Sequence, residues 1–258
     1  MREITTTRLF GIDVAVIDFQ TAIERIVGWA RTRPARLVFT CNLDHVLKRR
    51  TDATFRAAYA GADLVVGDGM PFVWLSRLSG PRLPHRISGS ELIVPLCEAA
   101  TREGLSVFLL GSTEDRLARA EAALTAIAPG LRVAGRHAPP FGFRADAAAQ
   151  AEAAEIVARA RADILFVALG PPTQEIWSAA FRDRLDCGVA ICIGAGLDFL
   201  AGDVRRAPPW MQRTGLEWLW RTLQEPRRLA PRYGRIIALL PVILRDHVRD
   251  RRQKERVK

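Results

Sequence analysis

Short apolar runs without polar interruption recur along this sequence, and most are followed by a stretch of helical pattern. Leu37-Val38-Phe39-Thr40, Asp63-Leu64-Val65-Val66, Ser106 to Leu110, Leu131 to Ala134, Asp163 to Leu169 and Val189 to Ile193 read as strands. Helical patterns run near Asp44 to Ala58, after Gly111-Ser112-Thr113, and from Gln174 to Arg184. Strands that are apolar on both faces and alternate with helices belong to parallel sheets covered on both sides. The expected fold class is therefore α/β, a Rossmann-like and largely parallel sheet with helices on both faces. Leu9 to Val14 reads as a small hairpin or edge strand ahead of it.

Charge divides the chain. The net charge is +10 over 258 residues, and all of the excess falls after Asp203: from Val204 onward there are 15 Lys+Arg against 5 Asp+Glu. The expected organisation is an α/β body over residues 1–203 and a basic amphipathic appendage over 204–258. In the appendage a helical pattern covers Thr214 to Gln224. A proline-bearing basic stretch, the apolar run Ile236 to Leu244 and a basic end follow. That run is too short to span a bilayer and holds Pro241. Arg8, Asp13 and Asp18 interrupt any signal-peptide core. Cys41, Cys97, Cys187 and Cys192 form no Cys-x-x-Cys pair and read as reduced core residues of a cytosolic protein.

Ligands of parallel α/β sheets bind beyond the carboxyl ends of the strands, so the residues there are the candidates. Asp68 stands between Gly67 and Gly69; it suits a proton acceptor reached closely by substrate, or a turn before the next helix. Thr40 and Asn42 share one side of the chain after the first strand, as ligand contacts or as a cap. Arg86, just before a helix, suits a diphosphate or a plain surface position. Gly111 at a strand-to-helix turn suits a phosphate or ribose. Gln174 and Glu175 begin a helix after Gly170-Pro171-Pro172. There is no Gly-x-Ser-x-Gly elbow, no Asp-x-Asp metal clamp, and Gly194-Ala195-Gly196 lacks the third glycine of a dinucleotide fingerprint.

These segments, in this order, resemble the WecG/TagA/CpsF glycosyltransferase family. The matching pieces are Thr40-Cys41-Asn42, Ala62 to Pro71, Arg86 to Leu92, Phe108 to Gly111, Gly170 to Glu175, Arg205 to Trp210, Gly215 to Trp218 and Glu225 to Arg228. The resemblance implies an inverting hexosyltransferase in cell-surface polysaccharide synthesis. The implied donor is a UDP-sugar (N-acetylmannosamine, its uronate or glucose) and the acceptor a polyprenyl-diphosphate-linked saccharide. It implies Asp68 as catalytic base, with Thr40 and Asn42 beside it. It implies Arg86 and Gln174 on the substrate side, where position also puts Gly69 and Gly111, with an appendage arginine such as Arg221 or Arg228 completing the site. Glu91 stands where the family often has Asp. No cofactor and no metal are expected. The appendage is expected to dock on the inner face of the cell membrane.

Other readings stay open on the residues alone. A dehydrogenase on the same fold is disfavoured by the incomplete glycine fingerprint. The basic tail suits nucleic acid on charge alone, and interleaved Trp218, Trp220, Tyr233 and aliphatic residues suit a lipid interface equally well; with the resemblance, the expected partner is an anionic membrane and not nucleic acid. The segment 236–258 reads as a second membrane contact or a contact between copies in a homo-oligomer.

Overall fold

The computed structural model describes residues 4–203, 207–208, 210–211 and 214–255. The chain opens with an antiparallel hairpin, β1 (Thr6–Leu9) and β2 (Ile12–Ala15), in which Thr6 faces Ala15. The helix α1 (Phe19–Ala30), capped by Asp18, leads to β3 (Arg36–Cys41). Five further strands follow: β4 (Leu64–Gly67), β5 (Ser106–Gly111), β6 (Arg132–His137), β7 (Ile164–Ala168) and β8 (Val189–Cys192). All six pair in parallel in the order β4-β3-β8-β7-β5-β6. The expected parallel sheet is thus present, and its strands all lie ahead of residue 203.

Two layers of helix cover it. On one face α1, α5 (Gly89–Arg102) and α6 (Glu114–Ile127) bury Ile26, Ile93 and Leu117 against Val38, Leu109 and Phe166. On the other, α3 (Ala53–Ala60), α7 (Ala147–Ala160) and α8 (Thr173–Phe181) bury Phe55, Val157 and Trp177 against Phe39, Leu110 and Leu165. Strand residues alternate between the two clusters, which is why the runs read as continuously apolar. All four cysteines are free and buried.

Three expectations need correction. The single helix expected over Asp44 to Ala58 is two, α2 (Leu43–Thr51) and α3. Asp52 breaks the run: its backbone is extended and its carboxylate caps α3 at Phe55 N–H, 2.9 Å away. The strand expected over Leu131 to Ala134 runs on to His137, an edge strand with alternating exposure. There Gly135 is needed because a Cβ would lie 2.8 Å from the Phe108 ring. Beyond α10 (Glu217–Gln224), the three separate tail segments form one helix, α11 (Pro226–Glu255), with Pro231 and Pro241 inside it.

The connections leaving β3 and β7 turn to the α2, α3 and α8 face. Those leaving β5 and β8 turn to the α6 face, where α9 (Gly196–Leu200) packs on α5 and α6. Neighbouring strands whose exits diverge leave a crevice at their carboxyl ends.

Candidate active site

Asp68 hangs at the mouth of this crevice. Its backbone N–H donates to Cys41 O at 2.8 Å, which ties the ends of β4 and β3 together. Gly69 follows with φ +133°, a conformation open to glycine and not to other residues. That turn lets α4 (Met70–Ser79) start at once, with Pro71 in its first turn. At Gly67 a Cβ would come 3.2 Å from both Phe72 Cβ and Leu83 Cδ1. Both flanking glycines therefore answer to the backbone path, and the carboxylate between them is free to serve a ligand. Among the described residues no side chain hydrogen-bonds it. Its pKa is pushed up to about 7, first by desolvation in the recess and then by Glu217, with Glu91 adding; Arg86 and Arg221 pull the other way.

Arg86 is brought beside Asp68 because the Ile87 N–H donates to Gly67 O at 2.8 Å. The start of α5 also packs tightly there: a Cβ on Gly89 would lie 2.8 Å from Ile193 Cα. Arg86 Nη2 donates to Glu91 Oε1 at 2.8 Å, and Nη1 stands 3.9 Å from Glu217 Oε2. Glu91, the departure from the family pattern, thus reaches the arginine. Held between two carboxylates, the guanidinium keeps one fixed direction.

The appendage folds back over this corner. Gly215, at φ +74°, approaches so closely that a Cβ would lie 3.1 Å from Met70 Cβ and 3.4 Å from the Trp74 ring. Glu217 and Arg221 follow from α10. Arg221 Cζ lies 5.5 Å from the centre of the Phe199 ring, and its Nε is buried with no hydrogen-bond partner. From α11, Leu229 and Ile236 are buried, and Arg232 Nη2 lies 2.9 Å from Asp44 Oδ2. The same oxygen accepts from Lys48 Nζ at 2.6 Å, and Nζ also donates to Pro171 O at 3.0 Å. The backbone at Arg228 is part of α11; its side chain, like Arg205, Arg206 and Pro209, lies outside the described residues.

The remaining candidates divide. Thr40 Oγ1 donates to Cys192 O at 3.3 Å, and Gln174 Oε1 accepts from Gly194 N–H at 3.1 Å, so both meet the end of β8. Gln174 is buried and its Nε2 donates to Glu175 Oε1 at 2.7 Å. Asn42 caps α2: its Oδ1 accepts from Asp44 N–H at 3.0 Å and His45 N–H at 3.4 Å. Gly111 answers to packing, since a Cβ would lie 2.4 Å from Ala168 O where β5 and β7 converge. Beside it, Ser112 Oγ donates to Asp198 Oδ1 at 2.7 Å.

Sequence reasoning assigned no role to Glu217, Asp44 or Arg232. Glu217 was legible only as part of Gly215-Leu216-Glu217-Trp218; Asp44 and Arg232 lie far apart in sequence and carry no local signal. Glu175 reads from the sequence as a ligand contact or a helix-start residue. It is fully buried, and burial pushes its pKa up to about 7.

A carboxylate poised near neutrality, set among arginines at the mouth of a parallel α/β crevice, is the equipment of a transferase that handles anionic, phosphate-bearing substrates. Residues 7–256 match the glycosyl transferase WecG/TagA/CpsF family. Two relatives carry the name N-acetylglucosaminyldiphosphoundecaprenol N-acetyl-beta-D-mannosaminyltransferase. The one from Bacillus spizizenii is 31% identical over 191 residues, 74% of this chain and 72% of the relative. The one from Bacillus subtilis is 30% identical over 192 residues, 74% and 73% of the two chains. The chain belongs to the WecG/TagA/CpsF family and is a glycosyltransferase of the hexosyl-transferring class.

Proposed function

We propose that this enzyme transfers N-acetylmannosamine from its UDP derivative to an N-acetylglucosamine unit linked through diphosphate to a polyprenol, with inversion at the anomeric carbon. The names of the two relatives favour this sugar and acceptor over the uronate and glucose alternatives. The observation that carries the mechanism is the Asp68 carboxylate, with its pKa pushed up to about 7 and, among the described residues, no side-chain hydrogen bond of its own. A base of that strength is half ionised at neutral pH and accepts a proton with useful driving force.

In the step we envisage, the acceptor hydroxyl gives its proton to Asp68 as its oxygen bonds to the anomeric carbon. The bond from that carbon to the β-phosphate oxygen breaks on the opposite face, and its electron pair leaves with UDP. Arg86 and Arg221 offset the charge that grows on the diphosphate, the task a metal performs in Asp-x-Asp enzymes. Arg228 is assigned to the same task from the family pattern. Thr40, Asn42 and Gln174 are assigned beside the sugars from the family pattern alone, since Asn42 caps α2 and Gln174 is buried and bonded at both ends of its amide.

The basic appendage would hold the enzyme on an anionic membrane surface where the acceptor resides. No described helix is long and apolar enough to cross a membrane. Trp218, Leu219, Leu223 and Ile237 are nevertheless exposed on α10 and α11, as an interfacial element requires.

The test is a panel of UDP-sugars assayed with a short-chain lipid-diphosphate acceptor. UDP-N-acetylmannosamine should be the preferred donor, and Asp68→Asn should lower turnover by roughly 100-fold to 10,000-fold. Preference for a different donor would overturn the sugar assignment. Near-normal turnover by Asp68→Asn would remove the proposed base.

A further inference from the structure

A second cleft, of about 570 Å³, opens where the β1–β2 hairpin meets the outer side of β4. It is lined by Asp63, Leu64 and Val65 at the start of that strand, whereas Asp68 follows the strand's other end. Three arginines stand on its walls: Arg8 from β1, Arg49 from α2 and Arg56 from α3.

They are not equally neutralised. Arg8 is paired with Asp13 at 2.7 Å. Asp63, the other carboxylate in the wall, is held by Arg36 at 2.8 Å and Arg182 at 2.9 Å. Among the described residues no carboxylate pairs with Arg49 or Arg56. The two lie side by side, since Arg56 Nη1 donates to the backbone O of Arg49 at 2.7 Å. Arg49 Cζ stands 5.3 Å from the centre of the Tyr59 ring, and its Nε is buried without a hydrogen-bond partner. Burial chiefly, and then Arg8 and Arg56, pull the Arg49 pKa down, partly offset by Cys41 and Tyr59. A buried cationic N–H without an acceptor is an unfavourable arrangement, and an incoming anion relieves the repulsion among the three arginines.

We infer that this cleft is a second anion-binding site, separate from the Asp68 crevice, which takes a phosphate or diphosphate group. Arg49 and Arg56 supply the donors, in the forked geometry that suits phosphoryl oxygens. Ile4, Ala60 and Ala62 in the wall accommodate a less polar remainder. The group can arrive on a soluble phosphorylated molecule or on an anionic lipid headgroup, and the test separates these sources.

The experiment follows the Arg49 Nε–H resonance of the full chain, identified by its absence from Arg49→Gln. It is titrated with inorganic pyrophosphate and, separately, with phosphatidylglycerol vesicles. A saturable shift is expected, about tenfold weaker in Arg56→Gln, as loss of one charge-assisted hydrogen bond implies, and unchanged in Asp68→Asn. A response to pyrophosphate marks a soluble ligand; a response to vesicles alone marks a headgroup. A resonance that moves with neither, or that moves equally in Arg56→Gln, overturns the site. Arg56 is exposed, so its replacement leaves the fold intact, and Arg49→Lys, which keeps the charge, serves for the assignment where Arg49→Gln does not fold. Donor turnover does not enter the readout, so the outcome is independent of the proposed reaction.

Discussion

Arg232 and Asp44, 188 positions apart in the chain, meet at 2.9 Å and join the appendage to the body. Asp44 is buried and accepts from Lys48 on the same oxygen. Loss of the arginine therefore leaves the carboxylate still neutralised. Loss of the carboxylate leaves two cations facing each other. Arg232→Gln should destabilise the protein mildly and Asp44→Ala more, with a coupling of about 0.5–3 kcal/mol in a double-mutant cycle. Denaturant unfolding measures this, and faster proteolysis in 204–225 should accompany both variants. Zero coupling would mean that the pair does not hold the appendage.

Asp68 carries a stability consequence opposite to its proposed role in turnover. Its folded pKa lies near 7, above the ordinary carboxylate value. The folded state then binds more protons than the unfolded state between about pH 4 and pH 7, so this group's contribution falls as pH rises through that window and is flat above it. Asp68→Asn removes the titration. The variant should match the wild type in melting temperature at pH 4 and exceed it at pH 8. A gap that does not widen with pH would mean that the site does not disfavour the ionised carboxylate.

Glu217 tunes the same group from the appendage. After desolvation it is the largest influence raising the Asp68 pKa. Glu217→Gln should therefore move the acidic limb of the kcat/KM profile to lower pH. Arg86→Gln should move it to higher pH in whatever activity survives. Both variants are read from pH profiles on a soluble acceptor analogue. Limbs that stay in place would detach that ionisation from Asp68.

Much of this architecture was legible in advance. The strands announced themselves because residues on both faces are buried, so Phe39, Leu109 and Phe166 fall in unbroken apolar runs. Asp68 stood out between its two glycines. What escaped notice depended on contacts distant in sequence. Asp52 broke a helix that periodicity alone continued, since a single cap outweighs a weak pattern. Gly111 looked like a phosphate turn, yet its lack of a side chain is demanded by Ala168. Asn42 could be read as cap or ligand contact from its position, and the structure finds it capping. Glu217, within a family segment, and Asp44, just past a strand end, carried no sign of their partners: an acidic residue near the start of a helix is commonplace until an arginine from elsewhere arrives.

Metal independence is the fourth expectation. It rests on the missing Asp-x-Asp and on Arg86 and Arg221, both within electrostatic range of Asp68. Turnover should be unchanged by EDTA. Activity abolished by EDTA and restored by magnesium or manganese would reverse this conclusion.

Truncation after Asp203 tests the appendage. All six strands are retained, but the cover supplied by Leu229 and Ile236 is lost. The shortened chain should fold and lose co-sedimentation with anionic vesicles. In the full chain that binding should weaken with salt, at up to about 1 kcal/mol for each basic residue near the surface. Activity on a soluble acceptor analogue should fall as well, since Glu217 and Arg221 leave with the truncated segment. Undiminished vesicle binding would relocate the membrane contact to the body.

The close approach of Gly215 to Met70 and Trp74 bears on when the enzyme becomes competent. During synthesis the whole sheet, with Asp68 and Arg86, precedes α10 out of the ribosome. A nascent chain at that stage can begin to fold its sheet, but Arg221, proposed to face the leaving group, has not yet joined it. Only after the ribosome has passed α10 can Gly215 settle against α4, so this corner of the crevice closes after the sheet beneath it has formed.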